Sequence, residues 1–238
     1  MQRGNALRLN EIEENGATGS DQAAKEYPRH FKYTPVLEQV RHYEHNYPFL
    51  SATPTLKFLE SSEWHADDLP EGAHAWAAFP RAHQICEQYS VAVATVTRQL
   101  AHERPTADRT IRIPEPLRRT SRLLNALKEL AVQQPFDIQV VPVQMGGAHR
   151  AGFSVDETRD IHAPHEIPMG FFEGLNLLMV NRGRLESPHD IGIIFGGDRF
   201  GPDFAPAASF ESRALMLNSA PVEGPAKGYS EATWFLMK

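Results

Sequence analysis

Between residues 34 and 133 apolar side chains recur mostly at helical spacing. From residue 136 onward short apolar runs alternate as strands do. Val36, Val40, Tyr43 and Tyr47 mark a helix over residues 34–47, with Thr34 placed to cap it, Pro35 suited to its first turn and Pro48 closing it. Thr53 and Pro54 repeat that signal ahead of Leu56, Phe58 and Leu59. Residues 62–79 carry Pro70, Gly72, Trp64 and Trp76 and read as a loop pinned by its aromatic rings. The longest helix is predicted from Pro80 to Glu103, with Ile85, Tyr89, Ala92, Val93, Val96 and Leu100 on its inner face. A short strand over 110–113 follows. The Pro114/Pro116 pair then leads into a helix to residue 133 with Leu117, Leu124, Leu127 and Ala131 inward.

Alternation begins at Phe136 and runs towards Met145, where Pro142 suggests an edge or a bulge. Ser154 and Glu157 have the spacing of a capping box. A helix is expected from Pro168 through Met179, with Gly183 at its end, then a strand over 190–195 and two more over 209–217 and 232–236. The fold class is α+β or α/β: a mostly helical N-terminal half, then a mixed β-sheet with at least one βαβ crossover. Residues 1–33 are polar and aperiodic and read as a flexible arm. The remainder divides into a helical region, 34–133, and a β-rich region, 134–238, either as two domains or as one continuous domain.

Composition narrows the class. The chain has 238 residues, a 41% apolar fraction and a formal net charge of −6, which argues against a whole-surface polyanion binder. Cys86 is the single cysteine, so no intramolecular disulfide is possible. No apolar run approaches the roughly 18 residues of a membrane span, and the first residues lack a signal peptide's basic start and apolar stretch. A cytoplasmic location without membrane contact is the expectation. Residues 98–128 hold eight basic and three acidic groups, with Arg118, Arg119 and Arg122 assigned to one helical face. No aromatic residue is interleaved there to stack on bases, so nucleic acid is disfavoured as a partner.

Two loops carry the candidate chemistry. Met145-Gly-Gly-Ala-His-Arg-Ala-Gly152 and Phe195-Gly-Gly-Asp-Arg-Phe-Gly201 each place a glycine pair, an arginine and another glycine after an apolar residue. Glycines allow the backbone to approach a ligand, and an arginine offers a planar fork to carboxylate or phosphate. If strands 136–145 and 190–196 were parallel and joined by the helix near Pro168, both loops would leave one sheet edge. Gly146, Gly147, Arg150, Gly196, Gly197, Asp198 and Arg199 are therefore the expected ligand-binding residues.

Between the loops lies Asp160-Ile-His-Ala-Pro-His-Glu166. His162, His165 and Asp160, joined by His149, are the candidate catalytic groups. His162, His165 and Asp160 are also candidate ligands of a divalent metal such as zinc. The functional expectation is a pocket for a small anionic ligand at the C-terminal edge of a sheet, with metal-assisted hydrolysis as the candidate reaction. The alternative is a non-enzymatic module that meets a protein partner through the helical half, through its Arg-rich face or the loop of Trp64 and Trp76.

Overall fold

The computed structural model describes residues 25–28, 30–61, 64–106, 117–147 and 150–237. The elements among them, in chain order, are α1 (Val36–Asn46), α2 (Thr53–Leu59), β1 (Ala75–Pro80), α3 (Ala82–Ile85), α4 (Tyr89–Glu103), β2 (Leu117–Arg119), α5 (Ser121–Gln133), β3 (Ile138–Met145), α6 (Val155–Ile161), β4 (Glu166–Pro168), α7 (Phe171–Val180), β5 (Gly192–Ile194), β6 (Asp198–Phe200), β7 (Phe204–Glu211), β8 (Ala214–Pro221) and β9 (Tyr229–Phe235). This is an α+β arrangement around one mixed sheet of nine strands, in the order β1-β3-β9-β5-β7-β6-β2, with β4 added to β9 and β8 to β7.

The helical periodicity translates into buried stripes. Val40 and Tyr43 of α1 and Val93, Val96 and Leu100 of α4 are fully buried, while Val91 faces outward. The long helix expected from Pro80 is split. Pro80 ends β1 opposite Ile138, and Cys86 takes an extended backbone between α3 and α4. In α5 the Thr120 side chain accepts from Leu123 N, and the buried face is Leu123, Ala126 and Leu130. Leu124, expected inward, is exposed, and Leu117 lies instead in β2. The N-terminal half is thus less helical than expected, because it contributes both β1 and β2 to the sheet. One apolar cluster draws on residues from Val40 to Trp234, so both halves share a core.

The arm is docked where it is described. Glu26 bridges to Asp190, Tyr27 and Phe31 pack edge to ring, and the Tyr33 hydroxyl accepts from Met145 N. Aromatic side chains supply the packing surface of this described stretch. Residues 1–24 and the strand expected at 110–113 lie outside the described residues. Among the described residues no helix is long and apolar enough to cross a membrane.

The expected parallel crossover is not formed. β3 is antiparallel to β9 and β5 is parallel to it, so β3 and β5 run in opposite directions. The cause is β4, a three-residue strand that pairs antiparallel with β9 just before α7. The helix therefore links β4 to β5, and not β3 to β5. The parallel neighbours β5 and β9 are joined through the strands β6, β7 and β8 instead of a helix.

β3 is buried along its whole length. Its Pro142 is tolerated because β9 pairs only with Val143–Met145, which leaves the proline outside that ladder. Helix α7 is also buried throughout, and its Gly174 lies against the Phe195 ring. A methyl group at Gly174 would collide with that ring. Alanine gains up to about 1 kcal/mol in helix propensity, whereas overpacking a core costs about 1–3 kcal/mol. Gly174→Ala is expected to destabilise by about 1–2 kcal/mol in urea unfolding. An unchanged or raised midpoint would show that the ring yields freely.

Candidate functional site

The second glycine loop sits where three chain segments cross. Gly197 N donates to Met169 O, and Gly197 O accepts from Thr120 N, the residue that caps α5. A Cβ at this position would lie 2.6 Å from Pro168 O, so only glycine permits the crossing. The crossing brings β4, β5, β2 and the start of α5 to one place. Beside it opens a cleft of about 460 Å³.

Three arginines line this cleft: Arg122, Arg159 and Arg199. Arg199 donates through Nη1 to Gly196 O at 2.5 Å and Asp198 O at 2.9 Å. Arg122 donates through Nη2 to Ala163 O and Glu166 O. Each guanidinium carries five N–H donors, so both retain donors beyond these backbone bonds. Arg159 forms an ion pair with Asp156 one turn earlier on α6. Arg199 also sits directly opposite Arg118 in the β6–β2 ladder. Directly opposed side chains leave a sheet on the same face, and like charges so placed repel. Arg118, Arg119 and Arg199 share a second opening of about 540 Å³ with Gly201 and Pro202, and Arg199 and Pro202 line both openings.

Glu231 of β9 also lines the first cleft. It is nearly fully buried, and Gly196 passes so close to its Oε1 that any side chain there would collide with it. The His162 side chain, fully buried just beyond the C-terminus of α6, places Nε2 2.9 Å from Glu231 Oε2. The Ser154–Glu157 capping box, legible in the sequence, starts α6, and His162 ends it.

The expected site residues separate into distinct environments. Gly196, Gly197, Arg199 and His162 are gathered at or beside the cleft. Arg150 is not among its lining residues. It is buried in a two-pronged pair with Glu166, Nη1 to Oε1 at 2.5 Å and Nη2 to Oε2 at 2.8 Å. Burial alone would raise the Glu166 carboxyl, but hydrogen bonds from Arg150 and Thr233 outweigh it and hold it below its ordinary value. Arg150 is therefore a structural cation. Gly146 turns at positive φ, and Gly147 exchanges hydrogen bonds with the Ser230 hydroxyl, which ties the first loop to β9.

The three candidate metal ligands have different surroundings. Asp160 is exposed on α6, His162 turns inward to Glu231, and His165 packs on Phe235. Among the described residues no group of three or more His, Cys, Asp or Glu side chains could hold a metal ion. An extended His162 is followed by a turn at Pro164 and His165, closed by Glu166 N donating to Ala163 O, and the two histidines meet different neighbours. His149 lies outside the described residues. The assumed Arg-rich helical face is also dispersed: Arg118 and Arg119 lie in β2, and Arg122 lies in α5. Glu231 was not foreseen. The available signal was an acidic residue two positions before Thr233 in the apolar run leading to Trp234 and Phe235, at the buried spacing of a strand.

A second polar cluster lies at the start of α7. Gly170 offers no capping side chain, and Asp198 of β6 serves in its place, accepting from Phe171 N and from the Tyr89 hydroxyl, each at 2.5 Å. Glu173 is close by and pairs with Arg119 at 2.6 Å, whose guanidinium stacks 4.0 Å from the centre of the Tyr89 ring. Burial and then the Glu173 charge push the Asp198 carboxyl up to about 6 from 3.8. Asp198 is thus a buried helix cap and not an open ligand-binding group.

The sign of its linkage is definite. The folded state keeps a proton that the unfolded chain has released between pH 4 and 6, so this group's contribution to stability falls as pH rises through that window. The shift corresponds to a loss on the order of 2–3 kcal/mol. Urea unfolding of the wild type and Asp198→Asn across pH 4–7 is expected to show the wild type losing ground to the variant as pH rises. Parallel profiles would contradict the assignment.

No known protein family, curated protein or solved structure matches this chain, so the cleft is interpreted from its own geometry.

Proposed function

We propose that the cleft between α6, β6 and the start of α5 binds a small anionic ligand, with Arg199 as the principal anchor and Arg122 and Arg159 beside it. The observation that carries this reading is the placement of Arg199. It is half-buried, directly opposite Arg118, and lines two openings. Burial lowers the Arg199 pKa while the charge of Glu231 opposes that shift, which describes a guanidinium only partly compensated by its surroundings. Two arginines opposed across a ladder repel, and an anion between them converts that repulsion into two charge-assisted hydrogen-bond sites. Carboxylate and phosphate both match the planar fork of arginine. The ligand is small because the cleft holds about 460 Å³.

The reading predicts saturable binding of inorganic phosphate that weakens with added sodium chloride. Arg199→Gln removes the anchoring charge. A charge-assisted hydrogen bond contributes about 1.5–3 kcal/mol, so the variant should bind phosphate roughly ten- to a hundredfold more weakly. Arg213→Gln, in the exposed β7–β8 turn, should bind as the wild type does. Phosphate titration followed by NMR checks this. Absence of saturable binding, or equal losses in the two variants, would sink the proposal.

A further inference from the structure

An anion on the arginines leaves the floor of the cleft unexplained. Glu231 lines it at 1% exposure, and the His162 ring beside it is wholly enclosed. Apart from their mutual contact, neither Glu231 oxygen and neither His162 nitrogen makes a hydrogen bond of ordinary geometry to a described residue. A buried carboxylate is costly unless cations or donors surround it. Glu231 has two such neighbours, His162 at 2.9 Å and the charge of Arg199. The His162 imidazole is shared between two carboxylates, since it also neighbours Glu166. Once an anion occupies Arg199, the field of that arginine is spent on the ligand and Glu231 keeps only a shared imidazole.

The remaining lining points the same way. Arg122, Arg159 and Arg199 are matched by Asp156, Glu223 and Glu231. A ligand of one sign gains at three of these groups and is repelled by the other three. A ligand bearing both signs gains at each end.

We infer that the ligand carries a protonated amine close to its anionic group, as an amino acid does, and that Glu231 receives the amine while Arg199 holds the anion. The glycine at position 196 belongs to this arrangement, because it leaves room for the carboxylate at the floor. His162 acts through Glu231 and is a positioning residue. The inference rests on the anion-binding reading above and adds the chemical class of the ligand to it.

A matched series on the full wild-type chain decides it: propionate, 3-hydroxypropionate and β-alanine, with lactate and alanine covering the shorter spacing. NMR titrations are run at one pH and ionic strength. β-Alanine or alanine should bind at least tenfold more tightly than propionate, with the hydroxy acids between. Glu231→Gln should bring the amine-bearing acids to the level of propionate while leaving phosphate binding within about threefold. Where that variant does not fold, Glu231→Asp keeps the charge but withdraws it by one methylene, and at least a threefold loss of the preference is expected. Amine-bearing acids that bind no better than propionate would overturn the inference and leave anion binding standing. A preference that survives in the Glu231 variant would overturn it too. Failure of phosphate and of every acid in the series to bind would bring down both readings.

Discussion

β9 gives one of its edges to two strands. Its last residues pair with β4 and its first with β5, and the two come end to end at Ala232, whose carbonyl accepts from Met169 N. β4 runs antiparallel to β9 and β5 runs parallel, so both point their C-terminal ends at this junction. Chain leaving both strands must escape through one small volume. Gly197 makes that possible, because a Cβ there would press on the backbone of Pro168, Met169 and Gly170. The position of the cleft, the start of α7 and the placement of Arg199 all follow from this crossing.

Buried charge lies on both sides of this crossing. On one side Asp198 caps α7 and meets Tyr89, Glu173 and Arg119. On the other, Arg150, Glu166, His162, Glu231 and Arg199 follow one another, with the imidazole between two carboxylates and an arginine at either end. The two groups differ in what holds them. The Arg150–Glu166 pair is closed by two hydrogen bonds and a third from Thr233, as a buried pair must be if it is not to destabilise its surroundings. The Glu231 end is not closed in this way, and it is the end that borders the cleft.

Much of the fold was legible in the sequence where one local rule decides. The Ser154–Glu157 spacing predicts the capping box of α6, and the stripe through Val93, Val96 and Leu100 gives the phase of α4. What was hidden depends on partners distant in sequence. The three residues of β4 have no period of their own and become a strand only because the Trp234 segment lies beside them. The turn between β7 and β8 places Ser212 and Arg213 at positive φ, where glycine or asparagine is the usual signal, so the hairpin reads as one continuous strand. In α5 the inward face is set one residue away from the expected one, and Leu124 is left outside.

The candidate site was legible by half for the same reason. Gly196, Gly197, Arg199 and His162 belong to segments whose composition singles them out, and they do gather at one place. The two glycine loops look alike in sequence, yet their arginines have opposite fates. Arg150 finds Glu166, a carboxylate of its own chain, and becomes structure. Arg199 finds only backbone carbonyls as hydrogen-bond acceptors among the described residues, and it retains donors. Nothing in either loop encodes that difference. It is decided by β4, which carries Glu166 to Thr233 and within reach of Arg150, and by β9, which sets Glu231 behind Gly196. A basic residue after a glycine pair thus acquires its surroundings from whether the sheet brings a carboxylate within hydrogen-bond reach, and the arginine that bonds only backbone carbonyls among the described residues lines the cleft.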